Sequence, residues 1–194
     1  CGAMSEPASL CKVREVQIIA RIATSTEFMP SSVFPDQWLL VTSRLDVRRA
    51  VEGDVVEIAD FWRGPVVRTY LGGEITAEES LRRVRGRLDA GELFVVRLRD
   101  APRVIGAINV ASAGNGLLEL SYLFVADVWR RGYATESLSG LLDALRAIHQ
   151  GFRVRATTQV ANAASRRLLA CLGFSEGSRC VEFGVEQVNC EMVL

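Results

Sequence analysis

A chain of 194 residues is long enough for one domain with a sizeable core and short for two. Apolar residues make up 49% and charged residues 24%, a globular composition that excludes a disordered chain. Lys+Arg and Asp+Glu balance at 23 each, which excludes a bulk electrostatic pull toward nucleic acid or a membrane surface.

Residues 1–41 read as an irregular N-terminal extension: Ser, Thr and Pro are scattered, Pro30 and Pro35 block a long helix, and Cys1, Gly2 and Ala3 before Met4 suggest a tag scar. The domain is expected over 42–194. Residues 43–50 predict a first strand. Val55, Ile58, Ala59 and Trp62, at spacings of three to four, predict a helix over 51–62. Gly64-Pro65 breaks it, and Gly72-Gly73 marks a second loop. Thr76, followed by Glu78 and Glu79, is an N-cap signal for a helix that stops at Gly91. Residues 93–98 and 104–111 are strands joined through Asp100, Ala101 and Pro102, and Gly114-Asn115-Gly116 turns the chain into a strand over 117–125. A helix over 134–148 carries Ala134, Leu138, Leu141, Leu142, Leu145 and Ile148 on one face. A strand over 152–158 follows, then a helix over 162–172 ended by Gly173, with Phe174 placed to pack back over the cap. Residues 181–183 and 188–194 are the final strands. The order is therefore antiparallel hairpins, one strand–helix–strand crossover, a further helix and a last hairpin.

Between strand 117–125 and the next helix stands Trp129-Arg130-Arg131-Gly132-Tyr133-Ala134-Thr135-Glu136. The first N–H groups of a helix have no internal partners and carry the positive end of its dipole. A glycine lets an anion approach them and arginines add full charge, so this loop is a device for holding phosphate. An ordinary strand–turn–helix connection with solvated arginines is the alternative reading. No G-x-G-x-x-G follows a strand, which rejects a Rossmann dinucleotide site. Five cysteines without a C-x-x-C pair suit reduced thiols and a cytoplasmic protein, no apolar run approaches a membrane span, and 13–23 makes a poor signal peptide. His149 is the sole histidine, so a metal site is not expected and only a triad built on His149 remains formally open.

Residues 119–136, together with Asn162-Ala163-Ala164-Ser165, Leu168, Leu169 and Leu172-Gly173-Phe174, resemble the GNAT N-acetyltransferases, and the tail W-x-x-G-Y-A-T-E their RimJ/RimL-like branch. Ala126 stands where proline is usual, and Arg130 where glycine is common. The resemblance implies a mixed α/β (α+β) GNAT fold: a central, mostly antiparallel sheet with a parallel splayed strand pair opened by a bulge, flanked by about four helices. It implies acetyl-CoA as cosubstrate and transfer of its acetyl group to a primary amine, whether a protein N-terminus, a polyamine or an aminoglycoside, by a monomer or homodimer. A catalytically silent acyl-CoA-binding module is the alternative.

By the same resemblance Arg130, Arg131, Gly132, Tyr133, Ala134 and Thr135 would hold the cofactor's diphosphate, Phe124 and Val125 would pair with its pantetheine, and Asn162 would face that arm while capping its own helix. Ser165 reads as a first-turn helix residue bonding back to Asn162 or, by the resemblance, as the hydroxyl that protonates the departing sulfur. Glu119 reads as a general base or a structural carboxylate, Tyr122 as an aromatic lining the acceptor site or as core, and Glu136 as a complement to the helix N-terminus. The acceptor site is expected from loop 64–74, the helix after Thr76 and the first forty residues, where Glu74, Glu78 and Glu79 read equally as attractors of a cationic amine and as a solvated helix start.

Overall fold

Alternating apolar residues, punctuated by turns, build the central sheet. The computed structural model describes residues 39–101 and 103–194, with Val33 and the backbone of Gln17–Ile19. Among these, nine strands form one sheet: β1 (Gln17–Ile19), β2 (Leu39–Val41), β3 (Leu45–Arg49), β4 (Leu93–Leu98), β5 (Val104–Gly114), β6 (Leu117–Phe124), β7 (Arg153–Gln159), β8 (Ser175–Glu182) and β9 (Val185–Val193). Their spatial order is β1-β2-β3-β4-β5-β6-β7-β9-β8. Every neighbouring pair is antiparallel except β6 and β7, which the α3 crossover makes parallel. Four α-helices flank the sheet: α1 (Val55–Trp62), α2 (Ala77–Asp89), α3 (Tyr133–Ile148) and α4 (Ala163–Cys171).

This is the mixed α/β GNAT fold that the sequence implies, with four differences in detail. Strands β1 and β2 lie inside the stretch read as irregular. Leu40 is fully buried, and α3 approaches it so closely that a Cβ on Gly140 would lie 2.7 Å from a Leu40 methyl carbon, so a three-residue strand too short for periodicity is fixed by packing. The helix expected from Val51 starts as a 3₁₀ turn over Glu52–Asp54. β8 runs from Ser175, earlier than its apolar residues indicate, because all eight of its residues are exposed and only pairing with β9 defines it. No bulge opens β6, which keeps one register with β5 from Phe124 back to Leu118; the irregularities fall at Ser112/Gly114 and Val96/Arg97. Pro102, Pro30, Pro35, Cys1 and Cys11 lie outside the described residues, as do the first three residues and Met4.

The two sheet faces carry separate cores. Leu118, Leu120 and Phe124 of β6 pack with Leu138, Leu141, Leu142 and Leu145 of α3 and Leu169 of α4. Each buried leucine contributes roughly 2 kcal/mol of transfer free energy. Ile148, expected on that helix face, is exposed. On the other face Val55, Ile58 and Trp62 of α1 and Val84 of α2 pack on Leu93, Val95 and Ala107. Both inferred caps form: Thr76 Oγ1 accepts the Glu79 N–H at 3.1 Å, and beyond α4 the N–H of buried Phe174 donates to Leu169 at 3.0 Å.

Asp54 joins α1 to the sheet. Its buried carboxylate takes both ends of the Arg48 guanidinium at 2.7 and 2.9 Å and the Val51 N–H at 2.8 Å. Burial pushes this carboxyl up, but the Arg48 and Val51 hydrogen bonds and the charges of Arg48 and Arg97 outweigh it and hold the group below its ordinary 3.8. Since the folded value lies below the unfolded one, the stabilisation is complete above pH 3.8 and is lost as pH falls through the folded value. Asp54→Ala should lower stability by about 3 kcal/mol at neutral pH in urea unfolding, because it leaves charge uncompensated. The difference from the parent should narrow in acid.

Candidate active site

β6 ends at Phe124, and a 3₁₀ turn (Ala126–Val128) leads to the start of α3. The N–H groups of Val128 and Trp129 are used within that turn. The next six, of Arg130, Arg131, Gly132, Tyr133, Ala134 and Thr135, donate to no acceptor among the described residues; helical bonding begins with the Glu136 N–H on the Gly132 carbonyl at 3.0 Å. Two residues bend the row into a cradle, Arg130 with φ +62° and Gly132 with φ +80°. Arginine at position 130 adopts a left-handed backbone that favours glycine, at a cost of about 1–2 kcal/mol. The Trp129 indole donates to the Phe124 carbonyl at 2.8 Å and ties the loop to the end of its strand.

Only three residue pairs join β6 to β7, the last being Glu119 with Arg155; beyond it the strands part. The Val125 N–H donates to the Ile105 carbonyl at 3.0 Å, so Val125 is turned toward β5. By the alternation of an antiparallel ladder, the polar backbone groups of Tyr122 and Phe124 then face the gap. With the Phe124 carbonyl on Trp129, the open edge consists of the Tyr122 N–H and carbonyl and the Phe124 N–H. An extended amide-bearing arm can pair there as an added strand.

α4 begins beside this gap. Asn162 caps it, Oδ1 accepting the Ser165 N–H at 3.1 Å. The Ser165 hydroxyl lies 2.8 Å from the Tyr122 hydroxyl, joining two elements 43 residues apart in the chain. Burial pushes the Tyr122 phenol up to about 12, only partly offset by the Ser165 hydrogen bond, so it holds its proton at neutral pH. Glu119 stands apart from this pair. Leu118, Leu120, Tyr122 and Phe124 face α3 and α4, whereas Glu119, Ser121 and Leu123 face the other side, where Glu119 is exposed and has no hydrogen-bond or ion-pair partner among the described residues.

Sequence reasoning missed two features here. Glu136, read as a complement to the helix N-terminus, is in the first turn of α3 and is also buried and paired: it takes Thr42 Oγ1 at 2.5 Å, the Arg44 N–H at 3.2 Å and Arg44 Nε at 2.7 Å. Arg44 itself escaped notice, and no local pattern points to it. In the loop after α1, Arg68 is buried and donates to the carbonyls of Leu71 and Gly73, winding the chain around its side chain. Glu79, considered as an attractor for an amine, is occupied by Arg82 and Arg83, while Glu74 and Glu78 are exposed. His149 has its Nε2 2.8 Å from the Val33 carbonyl and packs against Phe152, which accounts for it structurally. Cys171, Cys180 and Cys190 are free thiols, and no cluster of three metal-ligating side chains occurs among the described residues. No helix among them is long and apolar enough to cross a membrane.

The acetyltransferase (GNAT) domain family model matches residues 44–175, and the chain belongs to the GNAT acetyltransferase family. It is 24% identical over 148 residues, 71% of this chain and 82% of the relative, to the uncharacterized N-acetyltransferase p20 of Bacillus licheniformis. Among solved structures it is similar to the ribosomal-protein-S5-alanine acetyltransferase of Vibrio fischeri (15% identity, TM-score 0.68, covering 80% of this chain and 96% of that one). It is also similar to yncA of Salmonella typhimurium, determined with acetyl-CoA (20% identity, TM-score 0.61, covering 77% and 93%). At these identities the structural likeness establishes the fold.

Proposed function

We propose that the protein is an acetyl-CoA-dependent N-acetyltransferase of the RimJ/RimL-like branch, transferring an acetyl group directly to a primary amine. A protein N-terminal α-amine is the first acceptor class and a small-molecule amine the second. The observation that carries this reading is the row of six unpartnered N–H groups at 130–135, placed at the carboxyl end of a parting parallel strand pair. Acetyl-CoA supplies the acetyl thioester and a diphosphate of the charge and size this cradle suits. Support for the branch and the acceptor comes from the motifs and from the S5-alanine acetyltransferase among the similar structures.

In this reading the amides of Arg130, Arg131, Gly132, Tyr133, Ala134 and Thr135 hold the diphosphate, and the open edge at Tyr122 and Phe124 aligns the pantetheine arm. Val125 contributes as the residue that fixes the register of this edge. Asn162 orients the first turn of α4 and borders the same arm. Ser165 delivers its hydroxyl proton to the departing sulfur while Tyr122, which is protonated at neutral pH, passes its own proton to Ser165 through their hydrogen bond, and the Tyr122 phenolate regains a proton from solvent once the thiol has left. The amine enters from the face of Glu119 and Ser121, while the cofactor lies along α3 and α4. Glu119 takes the ammonium proton, directly or through a water.

Gly132→Val should weaken acetyl-CoA binding at least tenfold by calorimetry, since a β-branched residue resists φ +80° and crowds the cradle; undiminished affinity rejects the site. An amine panel read by thiol release then separates a transferase from a silent acyl-CoA-binding module. Ser165→Ala should lower kcat by about 10²-fold with cofactor affinity unchanged, because the cap uses the Ser165 backbone N–H and survives. Glu119→Gln should depress kcat/KM most at low pH, the deficit shrinking as the amine loses its proton unaided. A pH-independent loss assigns Glu119 a positioning or folding role instead.

A further inference from the structure

The first turn of α3 holds a buried carboxylate, Glu136, one residue beyond the row of free N–H groups, where its negative charge opposes a bound diphosphate. Arg44, from the turn between β2 and β3, meets that charge. Its Nε and Nη2 lie 2.7 and 2.5 Å from Glu136 Oε2, its Nη1 donates to the Arg131 carbonyl at 3.0 Å, and its guanidinium stacks 4.4 Å above the Tyr133 ring. A Cβ on Gly132 would lie 3.4 Å from Arg44 Nη2. One side chain therefore touches residues 131, 132, 133 and 136, the span whose amides form the cradle. Thr42 Oγ1 at 2.5 Å and Ser43 Oγ at 3.4 Å complete the carboxylate's shell.

We propose that Arg44 is a positioning residue of the acetyl-CoA site, which neutralises Glu136 and, by holding the Arg131 carbonyl, keeps the 130–135 amides turned toward the diphosphate. Two of the five guanidinium N–H groups remain unspent after these bonds, and the side chain is 45% exposed, so the positive charge reaches the solvent beside the loop. A lysine cannot replace it, because the arrangement needs a planar fork that spans a carboxylate and a carbonyl at once. The inference rests on the diphosphate lying at 130–135, and the ligands chosen below separate failure of that reading from failure of this one.

Calorimetric titration compares the parent, Arg44→Gln and Glu136→Gln with acetyl-CoA and with S-acetylpantetheine, which lacks the diphosphate, at millimolar concentrations. Arg44→Gln should bind acetyl-CoA at least tenfold more weakly and S-acetylpantetheine within twofold of the parent. Arg44→Lys should recover less than half of the lost factor. Glu136→Gln, which removes the opposing charge while leaving Arg44 on the Arg131 carbonyl, should bind acetyl-CoA within twofold of the parent or more tightly, and it carries the test where Arg44→Gln does not fold. Equal losses for both ligands would mark Arg44 as a general fold contact and overturn the proposal, as would acetyl-CoA binding unchanged in Arg44→Gln or weakened tenfold in a folded Glu136→Gln. If Gly132→Val leaves acetyl-CoA binding intact, the location of the diphosphate is wrong and both readings fall together.

Discussion

Everything at the candidate site depends on the brevity of the parallel ladder between β6 and β7. Three residue pairs hold the strands together, and past Glu119 and Arg155 they separate. Continuous pairing would use the polar backbone of Tyr122 and Phe124 internally and close the sheet. Because the strands part, those groups face a gap, and the elements that follow each strand, α3 and α4, present their N-termini near the same end of the sheet. Two helix starts and an open strand edge thus converge without any one of them being unusual. The parting is not produced by a bulge in β6, whose register with β5 is unbroken there; β6 simply continues with β5 while β7 continues with β9.

The two faces of the gap differ in character. On the α3/α4 face the Tyr122–Ser165 hydrogen bond bridges β6 to α4 through half-buried hydroxyls. On the other face the equivalent stretch is polar and exposed, with Glu119, Ser121 and Thr157 in solvent. The phenol, its pKa raised by burial, is protonated at neutral pH, and the exposed carboxylate lies on the opposite face of the sheet.

What the sequence made legible was local. The row of free N–H groups at 130–135, the Thr76 and Asn162 caps, the stop at Gly173 and the apolar stripe of α3, Ile148 apart, each depend on residues within a turn or two of one another, and each formed. What it concealed was long-range. Arg44 and Glu136 are 92 residues apart, and neither carries a local pattern that separates a buried ion pair from a solvated charge. Tyr122 and Ser165 were both candidates, but only the fold brings their hydroxyls together. Short β2 and the wholly exposed β8 escaped for a related reason: strand identity there comes from a neighbour's hydrogen bonds, not from alternation of their own side chains. Arg130 concealed its left-handed backbone because it is not glycine.

The exposure of Glu119 bears on which amine suits the site. An α-amine, with pKa about 7.7–8.0, is partly neutral at physiological pH, whereas a lysine side chain near 10.4 costs roughly 3 kcal/mol more to deprotonate. In the proposed reading Glu119 is an exposed carboxylate without a hydrogen-bond or ion-pair partner among the described residues, and an α-amine asks less of it than a lysine side chain does. Around the loop wound on Arg68 and the start of α2, Glu79 is paired with Arg82 and Arg83, whereas Glu74 and Glu78 are exposed. In the proposed reading an α-amine is therefore favoured over a polyamine, because its deprotonation costs less.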